Sequence, residues 1–130
     1  METAQALTSE VRVLVVDDEP LFVEMIKAML GAESDIDVVG TAGDGCSAVQ
    51  LAHQVDPDVI VMDVSMPVMD GIDATVHIRE ADPDASVLIL TGGSTVADVD
   101  RARKAGAAAY VTKDRISTDL VEEIRSLAAR

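Results

Sequence analysis

Five residues of this chain are spaced for one chemistry. Asp17 and Asp18 follow the run Val11-Arg12-Val13-Leu14-Val15-Val16, and Asp63 ends Val59-Ile60-Val61-Met62. Thr91 ends Ser86-Val87-Leu88-Ile89-Leu90, and Lys113 follows Ala107 to Thr112. If these runs are parallel neighbours, their carboxyl ends share one edge, where ligands gather in open α/β sheets. Three carboxylates together repel; a pair about 4 Å apart at an effective dielectric of 20 costs roughly 4 kcal/mol. A divalent cation relieves this, and oxygen donors without His or Cys favour Mg²⁺, Mn²⁺ or Ca²⁺ over zinc. An ammonium and a hydroxyl beside a metal-bound carboxylate suit the oxygens of a phosphoryl group, which makes Asp63 a nucleophile able to form an aspartyl phosphate. Each residue alone has a plainer reading: helix caps for the acids, a strand-end hydroxyl for Thr91, a solvated cation for Lys113. Their joint occurrence at strand ends favours the chemistry.

The elements that must position them follow in order. Strand β1 runs from Val11 to Val16, and Pro20 opens a helix whose stripe is Phe22, Ile26, Met29 and Leu30, ending near Gly31. Ile36 to Ala42 reads as β2, and a helix starts near Ser47 and ends before Pro57. After β3 at Val59 to Asp63, Asp70-Gly71 opens a helix through about Glu80, with Ile72, Val76 and Arg79 on related faces. Ser86 to Thr91 is β4, Val96 to Lys104 a polar, weakly amphipathic helix, and Ala107 to Thr112 β5; Ile116, Leu120, Val121, Ile124 and Leu127 mark the last helix. Strands that are apolar throughout and separated by helices imply a parallel sheet covered on both faces. The expected fold is a doubly wound, flavodoxin-like α/β domain with five helices and strand order 2-1-3-4-5.

At 130 residues the chain fits one domain, with residues 1–10 expected as a flexible N-terminal segment and 11–130 as the folded unit. Its 48% hydrophobic content includes one Phe, one Tyr and no Trp, so the core is aliphatic. Twenty-four acidic against 10 basic residues, net −14, argue against direct nucleic-acid binding. No run reaches membrane-span or signal-peptide length, which places the expected location in the cytoplasm. The single Cys46 excludes an internal disulfide and reads as a small buried hydrophobe, while His53 reads as a surface residue.

The motifs resemble those of the receiver domain of two-component response regulators over Val11 to Ala128. The matching pieces are Leu14-Val15-Val16-Asp17-Asp18-Glu19-Pro20, Val61-Met62-Asp63-Val64-Ser65-Met66-Pro67-Val68-Met69-Asp70-Gly71, Leu90-Thr91-Gly92, and Lys104 through Lys113. The resemblance implies that Asp63 accepts a phosphoryl group from a sensor histidine kinase or a histidine phosphotransfer protein. It implies Mg²⁺, with Mn²⁺ as a substitute, held by Asp17, Asp18, Asp63 and the Ser65 backbone carbonyl. It assigns Thr91 as a switch hydroxyl, Tyr110 as a switch aromatic and Lys113 as the phosphate-binding cation. Ser65 and Gly93 resemble the variable positions that tune hydrolysis, and Gly92 a position kept small for phosphate access. The implied protein is no enzyme, although it assists its own phosphorylation and dephosphorylation. Its implied partners are a downstream effector or effector domain, and a second copy in a phosphorylation-dependent homodimer.

One departure is the Asp114 that follows Lys113 where many receivers have Pro, so no X-Pro bond exists there. Lys-Asp resembles regulators with a LuxR-type helix-turn-helix output, and a chain ending after the last helix fits either a single-domain receiver or the input fragment of a DNA-binding regulator. Three other classes fit less well. A flavodoxin-like cofactor binder needs a phosphate loop after β1, where Asp17-Asp18-Glu19 repels phosphate. An aspartate-nucleophile phosphatase wants an acid two residues after its nucleophile, where this chain has Ser65. An unphosphorylated interaction module has no need of Asp18, Asp63, Thr91 and Lys113 together.

Overall fold

Five parallel strands hydrogen-bond in the order β2-β1-β3-β4-β5. The computed structural model describes residues 10–92 and 96–129, so the expectation of a flexible N-terminal segment, and Gly93 and Ser94, fall outside the described residues. The strands are β1 (Val11–Val16), β2 (Ile36–Ala42), β3 (Val59–Asp63), β4 (Val87–Thr91) and β5 (Ala109–Thr112). Between and after them come α1 (Pro20–Gly31), α2 (Gly45–Val55), α3 (Gly71–Ala81), α4 (Val96–Ala105) and α5 (Ile116–Ala128). The order is the one expected of a five-stranded doubly wound fold, and the described helices are the five expected. Among the described residues no helix is long and apolar enough to cross a membrane.

Alternation along each strand feeds two separate cores. Val13, Val15, Val59, Val61, Leu88, Leu90 and Val111 pack with Ile26 and Leu30 of α1 and Leu120 and Ile124 of α5. Leu14, Val16, Ile60, Met62, Val87 and Ile89 pack with Ala48 of α2, Ile72 and Ile78 of α3, and Ala102 of α4. Every residue of β3 and β4 is buried, as a central parallel strand demands.

Several local expectations change. Cys46 is exposed, because Gly45 takes the inward position at the start of α2: a Cβ there would stand 2.5 Å from the Met69 carbonyl oxygen. His53 is exposed, as expected. On α3 the buried residues are Gly71, Ile72, Ala74, Thr75 and Ile78, while Val76 is exposed. Thr75 enters the core because its hydroxyl donates to the Gly71 carbonyl at 2.7 Å, leaving no donor unpaired. Strand β5 starts at Ala109, two residues later than expected, since Ala107 N–H closes the end of α4 by donating to the Ala102 carbonyl at 3.0 Å, and bonding to β4 begins only with Ala108 N–H, which donates to the Val87 carbonyl at 2.8 Å. Gly106 makes that closure with φ of 98°, a left-handed conformation that glycine adopts without a Cβ clash. A single 3₁₀ turn, Lys113–Arg115, joins β5 to α5.

Candidate functional site

The site forms where β1, β3 and β5 end. Asp17 N–H continues the β1 ladder by donating to the Ala42 carbonyl at 3.1 Å, and Val64 N–H continues that of β3 by donating to the Leu90 carbonyl at 3.1 Å. The loop after Asp63 is then held by the Gly71 N–H, which donates to the Val64 carbonyl at 2.9 Å. That closeness requires glycine: a Cβ on Gly71 would lie 2.0 Å from the Asp63 carbonyl oxygen and 2.8 Å from Met62 Cγ. Asp70 caps α3 by accepting from Asp73 N–H at 2.8 Å, and Asp44 caps α2 from Ser47 N–H at 2.8 Å. The helix-cap alternative therefore describes those two acids and none of the three at the strand ends.

Asp17, Asp18 and Asp63 each offer a carboxylate oxygen, and these oxygens lie within 4.8 Å of one another. Asp17 and Asp63 are buried, at 2% and 4% exposure, and Asp18 is exposed. Lys113 Nζ stands 3.0 Å from Asp63 Oδ1 and 3.5 Å from Asp17 Oδ2. It also lies 4.4 Å from the centre of the Phe22 ring. Asp17 Oδ1 accepts from Glu19 N–H at 2.9 Å, whereas the buried Asp17 Oδ2 accepts no well-formed hydrogen bond from the described residues and has only the Lys113 ammonium at 3.5 Å.

Burial is the largest influence on Asp63, and with the charges of Asp17 and Asp18 it raises the carboxyl above the ordinary range against the opposing pull of Lys113. For Lys113 burial works against the charged form, yet the hydrogen bond to Asp63 and the charges of Asp63 and Asp17 outweigh it and hold the ammonium above its ordinary value. The site thus carries more negative charge than one lysine balances. A buried carboxylate oxygen that lacks a close hydrogen bond, beside two further carboxylates, is a donor set that fits a hard divalent cation.

Thr91 is buried at the end of β4, and Tyr110 is half-buried in β5. By strand alternation Thr91 and Tyr110 share the sheet face of Ile89 and Val87, opposite the face of Val61 and Val111. Ser65 is exposed and lines an open cleft with Asp18, Val64, Met66, Pro67, Asp70, Asp98 and Arg101. A Cβ on Gly92 would meet no described atom within 4 Å. All five strand-end residues sit along the carboxyl edge, with Asp17, Asp18, Asp63 and Lys113 in one cluster. Phe22 was legible only as a helix-stripe residue, and nothing in its spacing marks it as a neighbour of Lys113.

The fold and this carboxylate cluster define a receiver, and the chain belongs to the response regulator receiver domain family, whose sequence profile matches residues 13–125. YxjL of Bacillus subtilis, a transcriptional regulatory protein, is 40% identical over 119 residues, covering 92% of this chain and 55% of that protein. The response regulator VraR of Staphylococcus aureus is 37% identical over 115 residues, covering 88% of this chain and 55% of VraR. This chain therefore spans about half the length of these curated relatives. Among solved structures, a LuxR-family two-component response regulator from Aurantimonas superposes with a TM-score of 0.89 at 36% identity, over 93% of this chain and 86% of that one. The response regulator domain of Thermotoga maritima CheB gives 0.87 at 32% identity, over 93% and 98%.

Proposed function

We propose that this receiver is a phosphorylation-dependent switch in which Asp63 is the phosphoacceptor. The observation that carries the reading is the cluster itself: a buried Asp63 carboxylate within 4.8 Å of Asp17 and Asp18 and 3.0 Å from the Lys113 ammonium. An Asp63 carboxylate oxygen forms a bond to phosphorus while the bond from phosphorus to the donor nitrogen breaks, and the electron pair leaves with the donor. Asp17, Asp18 and Asp63, with the Ser65 carbonyl, would hold Mg²⁺, which would supply charge neutralisation at the phosphoryl oxygens. Lys113 presents its ammonium to the same oxygens, and Thr91 offers a hydroxyl. The donor is a sensor histidine kinase or a histidine phosphotransfer protein.

The added charge creates an acceptor for the Thr91 hydroxyl, and Tyr110 follows Thr91 inward on the same sheet face. The output surface is α4, β5 and α5, which engages a downstream effector or a second copy of the chain. The receiver is no enzyme toward outside substrates, although its own residues assist phosphorylation and hydrolysis, and it works in the cytoplasm. Relatives named as transcriptional regulators, of which this chain covers about half, favour a role as the input domain of a DNA-binding regulator.

Intact-mass measurement after incubation with acetyl phosphate and Mg²⁺ tests the chemistry. One phosphoryl adduct on the wild type and none on Asp63→Asn is the expected result. An adduct of equal yield on Asp63→Asn refutes the assignment, and no adduct on the wild type favours an unphosphorylated interaction module.

A further inference from the structure

Among the described residues the Lys113 ammonium lies 3.0 Å from Asp63 Oδ1, 3.5 Å from Asp17 Oδ2, and over the face of Phe22 at 4.4 Å from the ring centre. We infer that Phe22 is a positioning residue for phosphoryl transfer, holding the Lys113 ammonium over the site through a cation–π contact. The inference rests on the reading of Asp63 as the phosphoacceptor.

The physical need is plain. A lysine ammonium ends a flexible four-carbon stem, and localising it costs rotamer entropy. The two carboxylates attract it but cannot fix it on their own terms, because one of them, Asp63, becomes an acyl phosphate during the reaction and its charge moves outward. The quadrupole of an aromatic ring is unchanged by that event. Phe22 lies on α1, whose Ile26 and Leu30 are fully buried against the sheet, so the ring stands on a rigid element. Lys113 opens the 3₁₀ turn after β5 with only 27% of its side chain exposed, and partial desolvation strengthens a cation–π contact relative to open surface. The ring therefore keeps the ammonium in reach of the phosphoryl oxygens before and after transfer.

The sequence supplies an unusually clean test, because Phe22 is the only phenylalanine. Biosynthetic incorporation of 3,4,5-trifluorophenylalanine alters that ring alone, draining its negative face while nearly keeping its shape. The phosphorylation rate with acetyl phosphate and Mg²⁺ should fall about two- to tenfold in the fluorinated protein, the span of a partly exposed cation–π contact expressed as a rate. Phe22→Leu should fall at least as far, and Phe22→Tyr, which keeps the π face, should stay near wild type. Independently of activity, the Lys113 ε-methylene protons should resonate upfield in the wild type and lose that ring-current shift in Phe22→Leu. A fluorinated protein as fast as the wild type, or Lys113 protons that do not move, overturns the inference while leaving Asp63 as phosphoacceptor. A wild type that takes no phosphoryl group overturns the reading beneath it as well.

Discussion

Replacing Asp63 by Asn should make the protein more stable in metal-free buffer at neutral pH. The carboxylate faces Asp17 and Asp18 within 4.8 Å, so at an effective dielectric of 20 each repulsion is about 3 kcal/mol or more. Against these stands one attraction, Lys113 at 3.0 Å, of about 5 kcal/mol on the same scale. Two repulsions exceed one attraction by a small margin, and burial of the charge adds to it, in agreement with the raised Asp63 carboxyl. Asn keeps the volume and removes the charge, so the expected gain is about 1–2 kcal/mol, or roughly 3–8 °C in melting temperature for a domain of this size. The sign follows from linkage. A carboxyl whose folded-state value lies above its ordinary 3.8 penalises folding while ionised, so the advantage of Asn shrinks as pH falls and is gone below about that value. Urea unfolding at pH 7 and near pH 4, with EDTA, measures both. Adding Mg²⁺ should then reverse the ranking, since a ligand that binds only the folded wild type stabilises it by about 2.7 kcal/mol at a hundred times its dissociation constant. An Asn variant less stable than wild type in EDTA would refute the claim that repulsion dominates this site, and equal stabilisation of both proteins by Mg²⁺ would refute the carboxylate cluster as its binding place.

Three further outcomes are expected. Gly71→Ala puts a Cβ 2.0 Å from the Asp63 carbonyl oxygen, so it should destabilise by about 3 kcal/mol in urea titration, and an unchanged midpoint would mean that the loop after β3 yields freely. Arg125 donates to both Asp35 oxygens at 2.8 Å and to Glu33 Oε1 at 2.7 Å, tying α5 to the segment before β2 and holding the Asp35 carboxyl below its ordinary 3.8. Arg125→Gln should lower stability at pH 7, with a deficit that fades as pH falls below that value and the paired carboxylate protonates in wild type too; a deficit constant from pH 7 to pH 3 would contradict the pairing. The exposed Cys46 should react stoichiometrically with a thiol reagent such as DTNB in the native protein, and a thiol that reacts only after denaturation would contradict its outward position.

The sheet was legible because β3 and β4 are continuous apolar runs and β1 nearly so, each ended by a polar residue, and the strand-end residues marked the candidate site because a parallel sheet gathers such ends on one edge. Less legible were features fixed by contacts between distant segments. Thr75 looks polar in sequence and becomes core only through its bond to the Gly71 carbonyl, while Val76 looks apolar and faces out. Cys46 was assigned inward by its residue type, whereas the inward position belongs to Gly45 because Met69 arrives from another loop. The contact between Phe22 and Lys113 joins residues far apart in the chain, and neither helical period nor residue type announces it. Composition reports what a residue prefers, and these positions depend on what meets it.

The division of the interior into two cores has a consequence for how a signal travels. Asp63 and the Lys113–Phe22 contact belong to the side of the sheet covered by α1 and α5, while Thr91 and Tyr110 belong to the side covered by α2, α3 and α4. On β5 the boundary falls between neighbours: Tyr110 packs on one side and Val111 on the other. In the proposed switch, a change in charge at Asp63 would have to pass from one side of the sheet to the other to reach Thr91 and Tyr110, and the ends of β3, β4 and β5 are where these residues come together. Substitutions in the core beneath α1 and α5 therefore need not repack the core beneath α2, α3 and α4.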